Sequence, residues 1–100
     1  MTKYIATQHG RENIRCNAIM PGLILDEALA ARVPDLAQMT RRHLLLNRNG
    51  VPEDVANLVV FLASDEASFI TAQAINCDGG LVSHQPFFAD MVDSQSDYKL

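Results

Sequence analysis

Tryptophan is absent from this 100-residue chain, and aromatic residues make up only 6% of it. Any core must therefore be built from aliphatic side chains and methionine. Cysteine is scarce too: Cys16 and Cys77 each stand alone in an apolar run, without the Cys-x-x-Cys or Cys/His spacing of a zinc site. This excludes a disulfide framework and a metal centre of that kind, and leaves the expectation of two buried, reduced thiols in a cytoplasmic protein. His9, His43 and His84 are far apart in sequence and are expected not to cluster. No basic block occurs. Arg41-Arg42-His43 is the densest run and the net charge is −4, which argues against nucleic acid as a partner. No stretch approaches the ~20 apolar residues of a membrane span, and Met1-Thr2-Lys3-Tyr4 shows no signal-peptide pattern.

The hydrophobic fraction of 48% and charged fraction of 20% are those of an ordinary globular domain. Met1, Ile5 and Ala6 lie on one side of a helix over residues 1–9, with Gly10 expected as a left-handed C-terminal cap. That helix has no N-cap before it and reads as one cut through its middle. Ile14 to Met20 alternates as a strand, stopped by Pro21-Gly22. Asp26 to Asn47 is helical but broken at Pro34, with Asp26 capping a first helix over Glu27–Arg32 and Asp35 a second. A broken segment of this kind can serve as a movable cover or as a plain helix-loop-helix. Pro52 suits the first position of a helix running to Ala63, with Glu53 and Asp54 complementing its dipole. That helix is apolar around much of its circumference and needs cover on two sides. A second strand spans Gln73–Cys77 and ends at Asp78-Gly79-Gly80, and residues 83–100 form a mostly polar tail, frayed or draped over a partner. Strand, long crossover and strand make a parallel pair. Two parallel strands are too few for a sheet that needs covering on both faces.

The residues joining these elements resemble a known family. Asn13-Ile14-Arg15-Cys16-Asn17-Ala18-Ile19-Met20-Pro21-Gly22-Leu23-Ile24 is similar to the "IRVNAIxPGxI" segment of short-chain dehydrogenase/reductases. Arg48 to Ala56 resembles its "RxGxPEDVA", Phe61 to Asp65 its "FLASD", and Phe69 to Gln73 with Asp78-Gly79-Gly80 its "FITGQ…DGG". The resemblance implies an α/β chain, the C-terminal part (residues 1–82) of a Rossmann-type doubly wound fold. Its strands would be the last two of a larger parallel sheet, with covering helices. It also implies an NAD- or NADP-dependent oxidoreductase acting on an alcohol or carbonyl substrate, with residues 26–46 covering that substrate. The 52–63 helix and the 73–77 strand would form a homo-oligomer contact.

What chemistry the chain can carry follows from that resemblance. The family's acid/base pair is a tyrosine with a lysine four residues on, assisted by a serine; the lysine's charge favours the phenolate. Tyr4 has Gln8 at that offset and Tyr98 is followed directly by Lys99, so no residue here fills the role. None of the five glycines forms a GxGxxG-like turn to cradle a pyrophosphate. What remains is the nicotinamide end of a cofactor site at Pro21, Gly22, Leu23 and Ile24. The family has a threonine two residues after that isoleucine; here it is Asp26, an acceptor in place of a donor, whose role as a cofactor ligand competes with that of a helix cap. The chain alone is expected to be inactive. A reading of another class makes it a non-catalytic remnant that acts by oligomerisation. Asn17, a polar residue within a strand, is expected to bridge neighbouring loops.

Overall fold

The computed structural model describes residues 1–94. It contains α1 (Thr2–His9), β1 (Ala18–Pro21), α2 (Glu27–Arg32), α3 (Pro34–Arg42), α4 (Pro52–Ala63), β2 (Ala74–Cys77) and α5 (Phe88–Asp93), with single 3₁₀ turns at Gly10–Glu12 and Asp65–Ala67. β1 and β2 pair in parallel, Ala18 opposite Ala74 through Pro21 opposite Cys77. The loop leaving β1 continues the parallel theme with a bridge between Ile24 and Gly50, closed by the Leu25 N–H to the Gly50 carbonyl at 2.9 Å.

Several expectations change. The first strand begins at Ala18, not Ile14. The reason lies opposite it: Ala72 adopts φ +63°, which breaks the regular strand although its N–H still donates to the Cys16 carbonyl at 2.8 Å. Side chains fill the gap. The Asn17 amide donates to the Ile70 carbonyl at 3.0 Å and accepts the Gln73 N–H at 3.1 Å, while the Cys16 N–H donates to Thr71 Oγ1 at 3.1 Å. Gly10 is not left-handed (φ −59°); the chain runs on into the 3₁₀ turn, and Asn13 takes φ +63° instead, a conformation asparagine tolerates. α3 starts at Pro34 with Val33 at its N-cap, so Asp35 lies inside the first turn rather than capping it. Proline's fixed φ suits that first position. Both cysteines are free but only half-buried.

The buried side chains are small or few: Ala6, Leu25, Ala37, Leu44, Leu62, Ala67 and Ala89. On α4, Leu62 is buried, yet Val59, Val60 and Phe61 lie open, Val60 to 68%. The chain exposes 7571 Å², roughly 2,000 Å² more than the ~5,600 Å² of a compact monomer of its mass. Its radius of gyration is 17.2 Å against ~13 Å for a compact domain of 100 residues. The elements position one another locally without covering one another.

The tail expected to be frayed or draped over a partner instead lies, over residues 81–94, along α3 of its own chain and forms α5. Arg42 donates to Asp93 at 2.6 Å, and the His84 ring lies between His43 and Phe88. The rest of the 83–100 tail, with Tyr98 and Lys99, lies outside the described residues.

Candidate functional site

β1 ends at Pro21, and its chain runs on beside the end of β2 through Gly22 and Leu23 to the bridge at Ile24. The Gly22 N–H donates to the Cys77 carbonyl at 3.2 Å. A Cβ on Gly22 would lie 2.8 Å from Asp78 Cβ and 3.0 Å from Asp78 Cα, so the two strand ends approach too closely for any side chain. Asp78 is itself fixed: its carboxylate accepts the Gly80 N–H at 2.9 Å, and the next carbonyl, that of Gly79, accepts the N–H groups of Leu45 and Leu46. Gly79 and Gly80 take φ +62° and +88°, which only glycine adopts at little cost. Pro21, Gly22, Leu23 and Ile24 thus lie together at the carboxyl ends of the parallel pair. Among the described residues, no acceptor meets the N–H groups of Leu23 and Ile24. Leu23 and Ile24 line a cavity of about 440 Å³ with Leu44, Leu45, Leu46 and the Cys77–Gly80 turn.

Asp26 is used locally. Its carboxylate accepts the Leu29 N–H at 2.7 Å and caps α2. The far wall is held by a pair at the start of α4. Arg48 donates two bonds of 2.7 Å to the Asp54 carboxylate, one to each oxygen, and Asp54 also accepts the Val51 N–H at 2.8 Å. Val51 has no side-chain acceptor; the Asp54 carboxylate reaches back to the Val51 N–H while the Asp54 N–H donates to the Val51 carbonyl at 2.9 Å. The Arg48 bonds, and then the Val51 N–H, hold the Asp54 carboxyl down at about 2.

At the other end of α4, the Arg15 guanidinium donates to the carbonyls of Leu62 at 2.7 Å and the C-cap Ser64 at 3.2 Å, and to that of Ile70, before β2, at 3.4 Å. Arg15 and Asn17 together tie the entry of β1 to the end of α4 and the entry of β2. They position the strand that leads into Pro21–Ile24.

The structure brings together one pair that sequence reasoning kept apart. His43 and His84 stack with ring centroids 5.8 Å apart. His43 ends α3 and His84 follows the Gly79-Gly80 turn; no local pattern marks either, and only the fold-back of residues 81–94 makes them neighbours. With Leu23, Leu36, Met39, Thr40 and Leu81 they line a second cavity of about 450 Å³. Leu23 is common to both cavities. Among the described residues no group of His, Cys, Asp and Glu is arranged to hold a metal ion, and no helix is long and apolar enough to cross a membrane.

Comparison with known proteins gives consistent matches. Residues 1–82 match the family model described as enoyl-(acyl carrier protein) reductase. A probable short-chain type dehydrogenase/reductase of Bradyrhizobium diazoefficiens is 50% identical over 97 residues, covering 96% of this chain and 34% of its own length. The 7alpha-hydroxysteroid dehydrogenase of Bacteroides fragilis is 47% identical over 92 residues, covering 86% of this chain and 34% of itself. The structure of a 3-oxoacyl-[acyl-carrier protein] reductase with bound NAD from Brucella melitensis superimposes with a TM-score of 0.72 at 32% identity, over 83% of this chain and 29% of that one. The chain spans about a third of the length of the curated relatives it matches.

Proposed function

We propose, from the premise that this chain belongs to the short-chain dehydrogenase/reductase family, that it is the cofactor-facing and substrate-covering part of an NAD(P)(H)-dependent oxidoreductase acting on an alcohol or carbonyl compound. The observation that carries the reading is the segment Pro21–Ile24 leaving β1. It stands at the carboxyl ends of parallel strands, where open α/β sheets take their ligands, and it is locked there by the approach of Gly22 to Asp78.

A nicotinamide dinucleotide, NAD or NADP, supplies the hydride acceptor or donor when bound. This chain's residues fit its nicotinamide end alone. The backbone of Pro21–Ile24 would hold the carboxamide, with the unpaired N–H groups of Leu23 and Ile24 as its donors. We assign Asp26 to capping α2, since its carboxylate is already engaged and a negative charge beside the cofactor's phosphates would be unfavourable. Segment 26–46 covers the substrate. Proton transfer at the substrate oxygen requires a positioned acid/base. The family's Tyr-x-x-x-Lys is not in this sequence, so the 100-residue chain by itself is inactive. The open α4 face (Val59, Val60 and Phe61) supports a homo-oligomer formed through residues 52–63 and the 73–77 strand. The two free thiols support a cytoplasmic setting.

The test compares the protein of the complete reading frame with the 100-residue chain. The first is expected to bind NADH or NADPH by fluorescence titration and to oxidise a secondary alcohol, and the second to do neither. Turnover by the short chain alone, or a complete protein that binds neither dinucleotide, refutes the proposal. The same open α4 face favours a second reading, a non-catalytic remnant acting as an interaction module. A stop codon directly upstream, in place of a glycine-rich turn and a Tyr-x-x-x-Lys, would select it.

A further inference from the structure

We infer that Asn49-Gly50, in the link between α3 and α4, is a self-modification site: in the folded protein Asn49 deamidates and passes to isoaspartate, which draws Arg48 away from Asp54. The chemistry needs only water. The Gly50 nitrogen attacks the carbonyl carbon of the Asn49 side chain and forms a C–N bond. The amide nitrogen leaves as ammonia, taking up the proton that the Gly50 nitrogen loses. Water then opens the five-membered imide. Opening at the main-chain carbonyl gives isoaspartate, whose backbone runs through the former side chain; opening at the other carbonyl gives aspartate. Three observations single out this link. Asn13, Asn17, Asn47, Asn57 and Asn76 are each followed by a residue with a side chain, which hinders the approach of the next nitrogen, whereas Asn49 is followed by glycine. The Asn49 Oδ1 is buried and meets no donor among the described residues. By contrast, the Asn17 amide is held by two bonds and the Asn47 Oδ1 by Arg41. The Gly50 N–H, in turn, meets no acceptor among the described residues, although the Gly50 carbonyl is tied to the Leu25 N–H. The attacking nitrogen and the carbonyl it attacks are both unengaged.

The product acts on the structure through Arg48. Its guanidinium donates to the Asn49 backbone carbonyl at 3.2 Å as well as to the Asp54 carboxylate. In isoaspartate that backbone carbonyl becomes a carboxylate. An anion then stands where a neutral acceptor stood, and bonds between two charged groups are the stronger kind. The new carboxylate therefore competes with Asp54, which reaches back to the start of α4. The extra backbone carbon also displaces Gly50 from its bridge to Ile24. One modification loosens the start of α4 and the segment leaving β1 together, whatever reaction the protein performs.

The experiment ages the protein of the complete reading frame in mildly alkaline ¹⁸O-water, beside a synthetic peptide of residues 45–54 as the unfolded reference, and reads both by peptide mass spectrometry. The Asn49 peptide should exchange its amide nitrogen for one heavy oxygen, with isoaspartate exceeding aspartate, while the peptides carrying the other asparagines stay unchanged. The rate in the folded protein should lie within about tenfold of that in the synthetic peptide; a slower one shows that the fold protects the link, as stable local structure does, and overturns the inference. Aspartate without isoaspartate means direct hydrolysis of the amide and overturns it too. Asn49→Gln, which closes no five-membered ring, should gain no heavy oxygen at this position. The separated isoaspartate form should unfold at a lower urea concentration than the parent. By NMR its Asp54 carboxyl should titrate above the parent's value of about 2, and an unchanged Asp54 titration overturns the claim on Arg48.

Discussion

Replacing Gly22 by alanine separates two effects of opposite sign. At an open position whose backbone alanine can adopt, the substitution stabilises by about 0.4–1 kcal/mol, because it restricts the unfolded chain. Gly22 has no positive φ, so its backbone would accept alanine. The obstacle is the new Cβ, 2.8 Å from Asp78 Cβ and 3.0 Å from Asp78 Cα. Neither atom is the free end of a side chain. Asp78 is held by its own bond to the Gly80 N–H and by the bonds of Leu45 and Leu46 to Gly79, so relief requires the strand ends to part. Overpacking of this kind costs about 1–3 kcal/mol, and the net expectation is destabilisation by about 1–2 kcal/mol. The assay is urea unfolding of the complete protein, read as a lower midpoint at unchanged slope, with NADH affinity measured in parallel. Gly10→Ala is the internal control. Gly10 is in right-handed conformation, and a Cβ added there would meet nothing within 4 Å, so this substitution should stabilise. If Gly22→Ala stabilises as Gly10→Ala does, the close approach of the strand ends is refuted, and with it the fixed segment.

The remaining predictions concern the frame around that segment. Ala72 holds φ +63° at the position where the resembling family motif carries glycine; relief of about 1–2 kcal/mol of left-handed cost, less about 0.5–1 kcal/mol of chain entropy, should make Ala72→Gly stabilising by about 0.5 kcal/mol in the same urea assay. Arg15→Met keeps the side chain's length and removes its bonds to the carbonyls of Leu62, Ser64 and Ile70, and is expected to cost about 2 kcal/mol, as for hydrogen bonds from a charged donor. Asp54 has a carboxyl held at about 2 in the folded chain against an ordinary 3.8. The folded state therefore binds its proton less readily than the unfolded one, and the stabilisation is present above about pH 4 and lost as pH falls towards 2. Urea midpoints measured across that window should fall in the parent and fall less steeply in Asp54→Asn; identical slopes would show that the Arg48 pair is not coupled to folding.

The order of elements from α1 to β2, the break at Pro34 and the start of α4 at Pro52 were readable in the chain, because each depends on local causes, and the long crossover implied the parallel pairing; α5, within a stretch read as a polar tail, was not readable. Proline removes a donor, an acidic residue favours a helix start, and alternation declares a strand. The end of the first strand at Pro21-Gly22 could likewise be read, and Asn17 as a bridge; the turn expected there is instead an extended run to the bridge at Ile24. Tertiary structure decided the rest. That Gly22 must be glycine depends on Asp78, and where β1 begins depends on Ala72 across the ladder. The stacking of His43 on His84, and so the second cavity, depends on residues 81–94 folding back over α3. Local sequence encodes what one stretch of backbone can do by itself. These features belong to pairs of stretches, and only their meeting in space creates them.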